Sequence, residues 1–363
     1  MTIRAELAPH VFAVVAREEV WIIPGGGRLP RLVARREGHG RAVTRCDSNG
    51  VHIEASDNPP ASQGGSPAQI AVARKTFETD LANQFESLPF AATRLDAAWP
   101  VRLTLRGNVS IVAREGIETT RTSLFITASI RERGAAASVV TSPRFMRDDI
   151  KLLLAAVAAP SPARVDSRLY PIVWRGGSGA VLLHEAIGHA AEHSALPVVW
   201  PHWLRVDDLP DVDGGFPMGG LDDTGQSLLP TDLTAGSRPS ARRRASFSDL
   251  PIARMTNLVV RQQNAPWSDR LPRIEVSLLG GGRYDPLTDR VTIAVVAADL
   301  ISDTARQALQ PFEFSESRKA IAERLAGAAG EPRRYPGVIC SSEGQELFVG
   351  SFSADVVTSP MVS

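Results

Sequence analysis

Two histidines and a glutamate close together in this sequence have the residue types and spacing of a metal site. They form the pattern H-E-x-x-x-H over residues 184–189, within an apolar stretch that predicts a helix from Ala180 to about Ala191. Imidazole nitrogens are frequent zinc ligands, and a carboxylate beside a ligand histidine can take a proton from the attacking water. The pattern therefore predicts His184 and His189 as metal ligands and Glu185 as general base.

The five-residue separation of the two histidines constrains their helix. Positions i and i+5 point about 140° apart on an ideal α-helix, so both imidazoles could not face one ion. The helix must therefore widen by a π-type turn or end between the histidines. Gly188, just before the second histidine, has the lowest cost for leaving helical geometry.

A catalytic zinc ion usually has three protein ligands and one open position, so one more ligand is expected. Cys46 and Cys340 are the two cysteines. Cys340 is the candidate third ligand, because Pro336–Ile339 and Ser341–Gly344 predict a strand end and a turn that could present a thiolate inward. Cys46, in a predicted polar turn, is the weaker candidate.

Other polar residues near the pattern have simpler interpretations. His193 and His202 are expected to be ordinary structural histidines. Ser178, within GGSGA at residues 176–180, is one residue short of the G-x-S-x-G turn of serine hydrolases. Because a serine nucleophile needs a separate His and Asp, a serine hydrolase using Ser178 is the lesser enzyme alternative.

The composition excludes several classes of protein. The chain has 363 residues, 43% apolar and 22% charged, as in a folded protein of about two domains. Forty basic and forty acidic residues give zero net charge, so no overall field favours nucleic acid or an anionic membrane. The sequence has no apolar run long enough to span a bilayer and no leader-like N-terminus, and its few cysteines suit a reducing compartment, so a cytoplasmic location is expected.

The first part of the chain, residues 1–162, predicts an α/β sheet-and-helix domain that ends at the proline-rich residues 159–162. Helical spacing of apolar residues predicts two helices, and alternation of apolar residues predicts two strands. The predicted helices are Ile70–Phe85, after a loop at 59–67, and Asp148–Ala158; the predicted strands are Val101–Leu105 and Leu124–Ile130.

The second part, residues 163–363, contains the H-E-x-x-x-H pattern and a long stretch rich in Pro, Gly and Asp at 197–250. Its aspartates do not have calcium-loop spacing, so we expect them in a solvated loop. The predicted strands are Tyr170–Trp174, Leu258–Arg261, Ile274–Leu279 and Val291–Val296, and Ser315–Ala326 is predicted to be a helix that ends before Gly327.

Three segments resemble the TldD/PmbA family of metallopeptidases. Residues 176–192, GGSGAVLLHEAIGHAAE, resemble the metal-site helix of that family. Residues 250–257, LPIARMTN, are similar to its P-R-M-T-N stretch, and residues 337–345 are similar to its C-terminal cysteine segment. The likeness covers the chain from about Val165 to the end, with weaker similarity over residues 116–134.

The resemblance implies zinc held by His184, His189 and Cys340, with Glu185 as base. It also implies hydrolysis of peptide bonds in small or unfolded peptides, with a role in maturation of peptide natural products as one option. The implied fold is α+β, with a β-rich C-terminal metallopeptidase domain. The implied assembly is a homodimer, or a heterodimer with a TldD/PmbA-type paralogue.

The chain departs from the family pattern in two ways. It is shorter than typical members, and after Glu192 it has His193 and Ser194 where the family usually has Gly and Asp. The missing segments motivate an alternative of another class, a non-catalytic interaction subunit of a TldD/PmbA-type complex.

Overall fold

The computed structural model describes most of the chain. The described residues are 10–24, 26, 28–47, 50–57, 68–95, 97, 99–114, 117–132, 135–158, 163–193, 195–245, 249–267, 270–342 and 344–361. The predicted loop at 59–67 and the prolines at the predicted domain end lie outside these residues.

An antiparallel sheet with helices on one face forms the first part of the chain. Its strands lie in the order β3-β2-β1-β4-β5-β6. Alternate residues of β4 are buried from Val101 to Val109, where they contribute to an apolar cluster with Phe77 and Phe85 of the helices. The elements are β1 (His10–Ile23), β2 (Arg31–Asp47), β3 (Gly50–Asp57), α1 (Ala68–Asp80), α2 (Ala82–Ala92), a 3₁₀ turn (Thr93–Leu95), β4 (Val101–Arg114), β5 (Ile117–Glu132), β6 (Ala135–Thr141) and α3 (Met146–Ala158).

The structure confirms the predicted elements of this part and corrects their lengths. The single predicted helix over Ile70–Phe85 is two helices, because the chain turns at Leu81. Strands β4 and β5 extend well beyond the alternating runs that predicted them. The predicted polar turn at Cys46 is wrong, since this residue lies in β2 and pairs with Val51 of β3.

Most of the second part is also strand, and its sheet continues that of the first part. Gly337 of β17 pairs with Val140 of β6, so sixteen strands of the described chain form one sheet. The elements are a 3₁₀ turn (Ser167–Leu169), β7 (Ile172–Trp174), α4 (Gly179–Leu183), a π-helix (His184–His189), α5 (Ala190–Glu192), β8 (Leu204–Asp208), β9 (Thr231–Asp232), β10 (Arg242–Arg243), β11 (Ile252–Ala253), β12 (Asn257–Gln262), β13 (Arg273–Asp285), β14 (Arg290–Ile301), β15 (Arg306–Ala308), β16 (Phe312–Ser317), α6 (Arg318–Arg324), β17 (Leu325–Ser342) and β18 (Gln345–Thr358).

The predicted helix over Ser315–Ala326 is too long. Only α6 is helical, and Ser317 caps it by accepting a hydrogen bond from the backbone N–H of Ala320. Residues on both sides pair as strands instead, β16 with β14 and β17 with β18. At both ends of α6, pairing with neighbouring strands therefore prevails over the helical spacing of the apolar residues.

The expectation that the aspartates of 197–250 are solvated is wrong for four of them. Asp207, Asp208, Asp222 and Asp223 are 0–4% exposed. Each has partners that compensate its burial: Asp223 forms an ion pair with Arg121 at 2.7 Å, for example. The stretch is thus a packed part of the structure that also carries β8, β9 and β10.

Two clusters of buried apolar residues support the sheet. One cluster lies on the strands and helices of the first part and also includes Leu278 of β13. The other surrounds α4 and the π-helix and lies entirely within the second part. The predicted α+β class is confirmed. The boundary between residues 162 and 163 remains a prediction. In the described residues, no helix combines the length and apolarity needed to cross a bilayer.

Candidate metal centre

The H-E-x-x-x-H residues lie on a helix that changes type along its length. After β7 and a tight turn the chain enters α4, widens into a π-helix from His184 to His189, and resumes as α5. The wider turn brings the two histidine rings to a centroid separation of 4.8 Å. Of the two geometries that the spacing allowed, the π-type turn is the one observed.

Gly188 has a packing role in addition to the predicted one. A Cβ atom built on Gly188 would lie 2.0 Å from Sδ of Met255, which is far inside contact distance. The absence of a side chain at Gly188 therefore lets the thioether of Met255 pack directly against the helix. This close approach could not be read from the sequence of the helix.

Cys340 of β17 lies next to the two histidines. The side-chain donor atoms of His184, His189 and Cys340 lie within 4.8 Å of one another, and all three residues are buried. Sγ of Cys340 is 3.3 Å from Nε2 of His189. The three residues selected as ligands from the sequence are thus brought together from two distant parts of the chain.

The ring of His184 is fully buried, yet neither of its nitrogens has a hydrogen-bond partner among the described residues. An unpaired buried polar group costs free energy, so such atoms in a folded protein need an explanation. A metal ion at the three donors would give one of these nitrogens a partner. The donor set of two imidazoles and one thiolate suits such an ion.

The ring of His189 is oriented by Glu192, one turn along the helix. Its Nδ1 donates a hydrogen bond to Oε2 of Glu192 at 2.9 Å, which leaves Nε2 directed at Cys340. Burial alone would raise the pKa of Glu192, but His189 and Arg254 together lower it to about 2. A carboxylate that fixes the ring of a ligand histidine in this way is usual around metal sites.

Arg254 connects Glu192 with Cys340. Its Nη2 donates to Sγ of Cys340 at 3.0 Å and to the backbone oxygen of the same residue at 2.8 Å. Its Nε lies 3.4 Å from Oε1 of Glu192. Burial opposes ionisation of the thiol, but the electrostatic effect of His184 and the hydrogen bond with His189 place the pKa of Cys340 well below its ordinary value.

Glu185 lies beside the three donors and against strand β13. Its Oε2 is 3.7 Å from Nε2 of His189. A Cβ atom on Gly282 would lie 2.5 Å from Cγ of Glu185, so the glycine gives this side chain its space. Burial raises the pKa of Glu185, although His184 and His189 act in the opposite direction.

A cleft of about 620 Å³ opens beside this cluster. Glu185, His189 and Cys340 line one part of it. Two runs of consecutive residues form its walls, 280–284 of β13 and 338–342 of β17. The cleft therefore borders the carboxylate of Glu185 and two of the three donors, His189 and Cys340.

Sequence reasoning assigned no role to Glu192 or Arg254, although both lie in the segments that carry the family resemblance. The sequence signal for Glu192 was its position three residues after His189, on the same helix face. His193 also lines the cleft, whereas His202 is exposed and does not line it. Ser178 is fully buried with no hydrogen-bond partner for its hydroxyl among the described residues, which argues against a nucleophile.

Comparison with known proteins adds the family and the fold. No protein-family model matches the chain. A curated relative, the metalloprotease TldD homolog of Haemophilus influenzae, is 25% identical over 321 residues, which covers 74% of this chain and 64% of the relative. This likeness supports the resemblance to the TldD/PmbA family. The chain spans less than two thirds of the length of this TldD homolog.

Solved structures share the fold along nearly the whole chain. TldE from Thermococcus kodakarensis superposes with a TM-score of 0.66 and 10% identity, covering 97% of this chain and 96% of TldE. A candidate modulator of a DNA gyrase from Thermotoga maritima gives a TM-score of 0.60 and 12% identity, covering 97% and 94%. The chain therefore shares the fold of these two proteins over 97% of its length.

Proposed function

We propose that this chain is a zinc-dependent peptidase that hydrolyses peptide bonds in small or unfolded peptides. The observation that carries the proposal is the buried group of His184, His189 and Cys340, with Glu185 beside it at the floor of a cleft. The name of the H. influenzae relative, a metalloprotease, supports the same activity.

The charges around the three donors support a divalent cation. Glu185, Glu192 and Cys340, when ionised, carry three negative charges, and Arg254 carries one positive charge. All four side chains are buried, where unbalanced charge is costly. Burial opposes the charged form of His189, but its hydrogen bonds with Cys340 and Glu192 raise its pKa well above the ordinary value in the metal-free protein. As metal ligands both histidines would be neutral, and one divalent cation would then bring this group of side chains to neutrality.

The ligand types support zinc in particular. Two imidazole nitrogens and one thiolate suit zinc better than magnesium or calcium, which prefer oxygen ligands. Three protein ligands would leave one position open, as in catalytic zinc sites. When bound, the metal would supply a Lewis acid that polarises the scissile carbonyl and acidifies water.

The chain's own residues would then move the proton. Glu185 takes it from the attacking water and passes it to the leaving amine nitrogen, so that the carbon–nitrogen bond breaks as the amine departs. Burial raises the pKa of Glu185, which makes its carboxylate a stronger base for the proton of the attacking water. Cys340 would serve as a thiolate ligand and not as a nucleophile.

The walls of the cleft support an extended peptide as substrate. Consecutive residues line it on both sides, so the strands present their backbone edges. Residues 338–342 pair with β18, and the described pairing of β17 with β6 is limited to Gly337. Residues 281–285 of β13 pair with β14, and the described pairing of β13 with β7 is limited to residues 274–276. The free edges could hydrogen-bond a peptide backbone irrespective of its sequence.

The assembly and setting are part of the same proposal. A homodimer, or a heterodimer with a TldD/PmbA-type paralogue, is supported by the likeness to TldD- and TldE-named proteins. We place the chain in the cytoplasm, where peptide maturation would be one use of its activity. The mass of the protein in solution, alone and co-expressed with such a paralogue, tests the assembly.

Glu185→Gln tests the peptidase proposal. The variant should bind zinc as the wild type does and should hydrolyse no peptide from a mixed peptide library, because the amide cannot accept the proton. Turnover by the zinc-loaded variant would contradict the role of Glu185. Labelling of the wild type by a fluorophosphonate, with no effect of chelators, would instead favour the serine hydrolase that uses Ser178.

A further inference from the structure

His193 is a side chain in the cleft that the proposed function leaves without a role. It follows His189 by four residues and therefore lies on the same side of the helix. Its ring centroid is 6.4 Å from that of His189 and 6.4 Å from that of Tyr284. The side chain is exposed and lines the cleft, and its ring has no hydrogen-bond partner among the described residues.

The tyrosine hydroxyl on the same wall of the cleft is already engaged. The hydroxyl of Tyr284 donates to Oδ1 of Asp289 at 3.0 Å, and the guanidinium of Arg318 lies over the tyrosine ring and also binds Asp289. Arg283 also lines the cleft, as an exposed side chain on the strand face of Asp285. The ring of His193 is thus free to donate, and the rings of His189 and Tyr284 restrict where it lies.

We propose that His193 is a catalytic residue that donates a hydrogen bond to the scissile carbonyl oxygen as that oxygen gains negative charge. The inference rests on the proposed function. Water oxygen bonds to the carbonyl carbon, and the π electron pair moves onto the carbonyl oxygen, where the N–H of His193 stabilises it. The pair returns when the carbon–nitrogen bond breaks and Glu185 protonates the amine. His193 keeps its proton throughout.

This role gives a function to the polar ring of His193 in the lining of the cleft. A positioned donor in a cleft stabilises the transition state more than the substrate, because the oxygen is most negative in the transition state.

Peptide hydrolysis by zinc-loaded variants provides the first test. His193→Ala should lower kcat by about 100- to 1,000-fold with little change in KM, the usual effect of removing one such donor. His193→Gln, which keeps an N–H donor, should recover part of the loss. His202→Ala, an exposed histidine that does not line the cleft, is the matched control and should retain wild-type kcat.

Ligand binding provides a readout that does not depend on turnover. In zinc-loaded protein, His193→Ala should weaken binding of a phosphinic peptide, a tetrahedral mimic of the transition state, by about 10- to 100-fold. The corresponding uncleaved peptide, measured in the Glu185→Gln background, should bind with nearly unchanged affinity. Equal losses for both ligands, or no loss for the phosphinic peptide, would overturn the assignment, as would loss of zinc from His193→Ala.

The two proposals fail in different ways. A wild-type protein that holds zinc but neither cleaves peptides nor binds the phosphinic peptide would refute the peptidase and the role of His193 with it. A wild-type protein that does both, together with a fully active His193→Ala, would refute the role of His193 alone.

Discussion

Gly282→Ala tests whether the position of Glu185 matters for catalysis without changing a charged group. The new Cβ would lie 2.5 Å from Cγ and 2.7 Å from Oε1 of Glu185, and 2.8 Å from Cδ1 of Ile293. Ordinary contact begins at 3.4 Å, so the approach to Cγ is short by about 0.9 Å. Since Cγ is close to the backbone of a buried helix, the side chain must move as a whole.

A displacement of about 1 Å in a catalytic group costs about 100-fold in rate, which corresponds to about 2.7 kcal/mol. Overpacking against Ile293 should in addition lower the free energy of unfolding by about 1–3 kcal/mol. Zinc should stay bound, because the three atoms nearest to the new Cβ belong to Glu185 and Ile293 and to none of the proposed ligands. We therefore expect a folded, metal-loaded protein with a kcat reduced by about 100-fold.

Peptide hydrolysis at saturating substrate, zinc content and thermal unfolding should be measured on the same preparations. Gly38→Ala is the control, since it is also a glycine in a strand and a Cβ there would meet nothing within 4 Å. It should have wild-type kcat. A Gly282→Ala protein that holds zinc and has wild-type kcat would refute the reasoning, because Glu185 would then tolerate displacement.

Three further predictions concern the surroundings of the site. Arg254→Gln should weaken zinc retention by about 10- to 100-fold in a chelator competition, because it removes the hydrogen bond to Cys340 and the charge beside Glu192; retention equal to wild type would contradict this. Arg121→Met should lower the free energy of unfolding in urea by up to about 3–5 kcal/mol, because it removes the ion-pair partner of the buried Asp223, whose other oxygen keeps the hydrogen bond from the backbone N–H of Arg244; a change below about 1 kcal/mol would show that the pair is dispensable. Removal of metal by a chelator should abolish hydrolysis, and resupplied zinc should restore it; activity in metal-free protein would exclude a role for the metal.

The sequence was most informative where one helix carries the chemistry. The separation of His184 and His189 required a helix that widens or ends, and the structure has a π-helix between them. Counting ligands pointed to Cys340, which lies with the two histidines. Both inferences rest on local geometry or on a small number of possible residues.

Long-range packing was not predictable in the same way. The hydrogen bond from Arg254 to Cys340 joins residues 86 positions apart, and no spacing rule relates them. The buried aspartates of 197–250 are a second case. The sequence predicts Asp223 in a solvated loop, and its burial is explained by its ion-pair partner, Arg121 of β5. The close packing of Met255 against Gly188 likewise depends on a segment far away in the chain.

Bound metal per chain tests the central claim most directly. It should be measured by mass spectrometry on protein purified without a histidine tag, for the wild type and for Cys340→Ser. The account predicts about one zinc ion per chain in the wild type and little in the variant, because three ligands define the site. A wild-type protein that holds no metal after zinc is resupplied, or a Cys340→Ser variant that holds as much as the wild type, would contradict it.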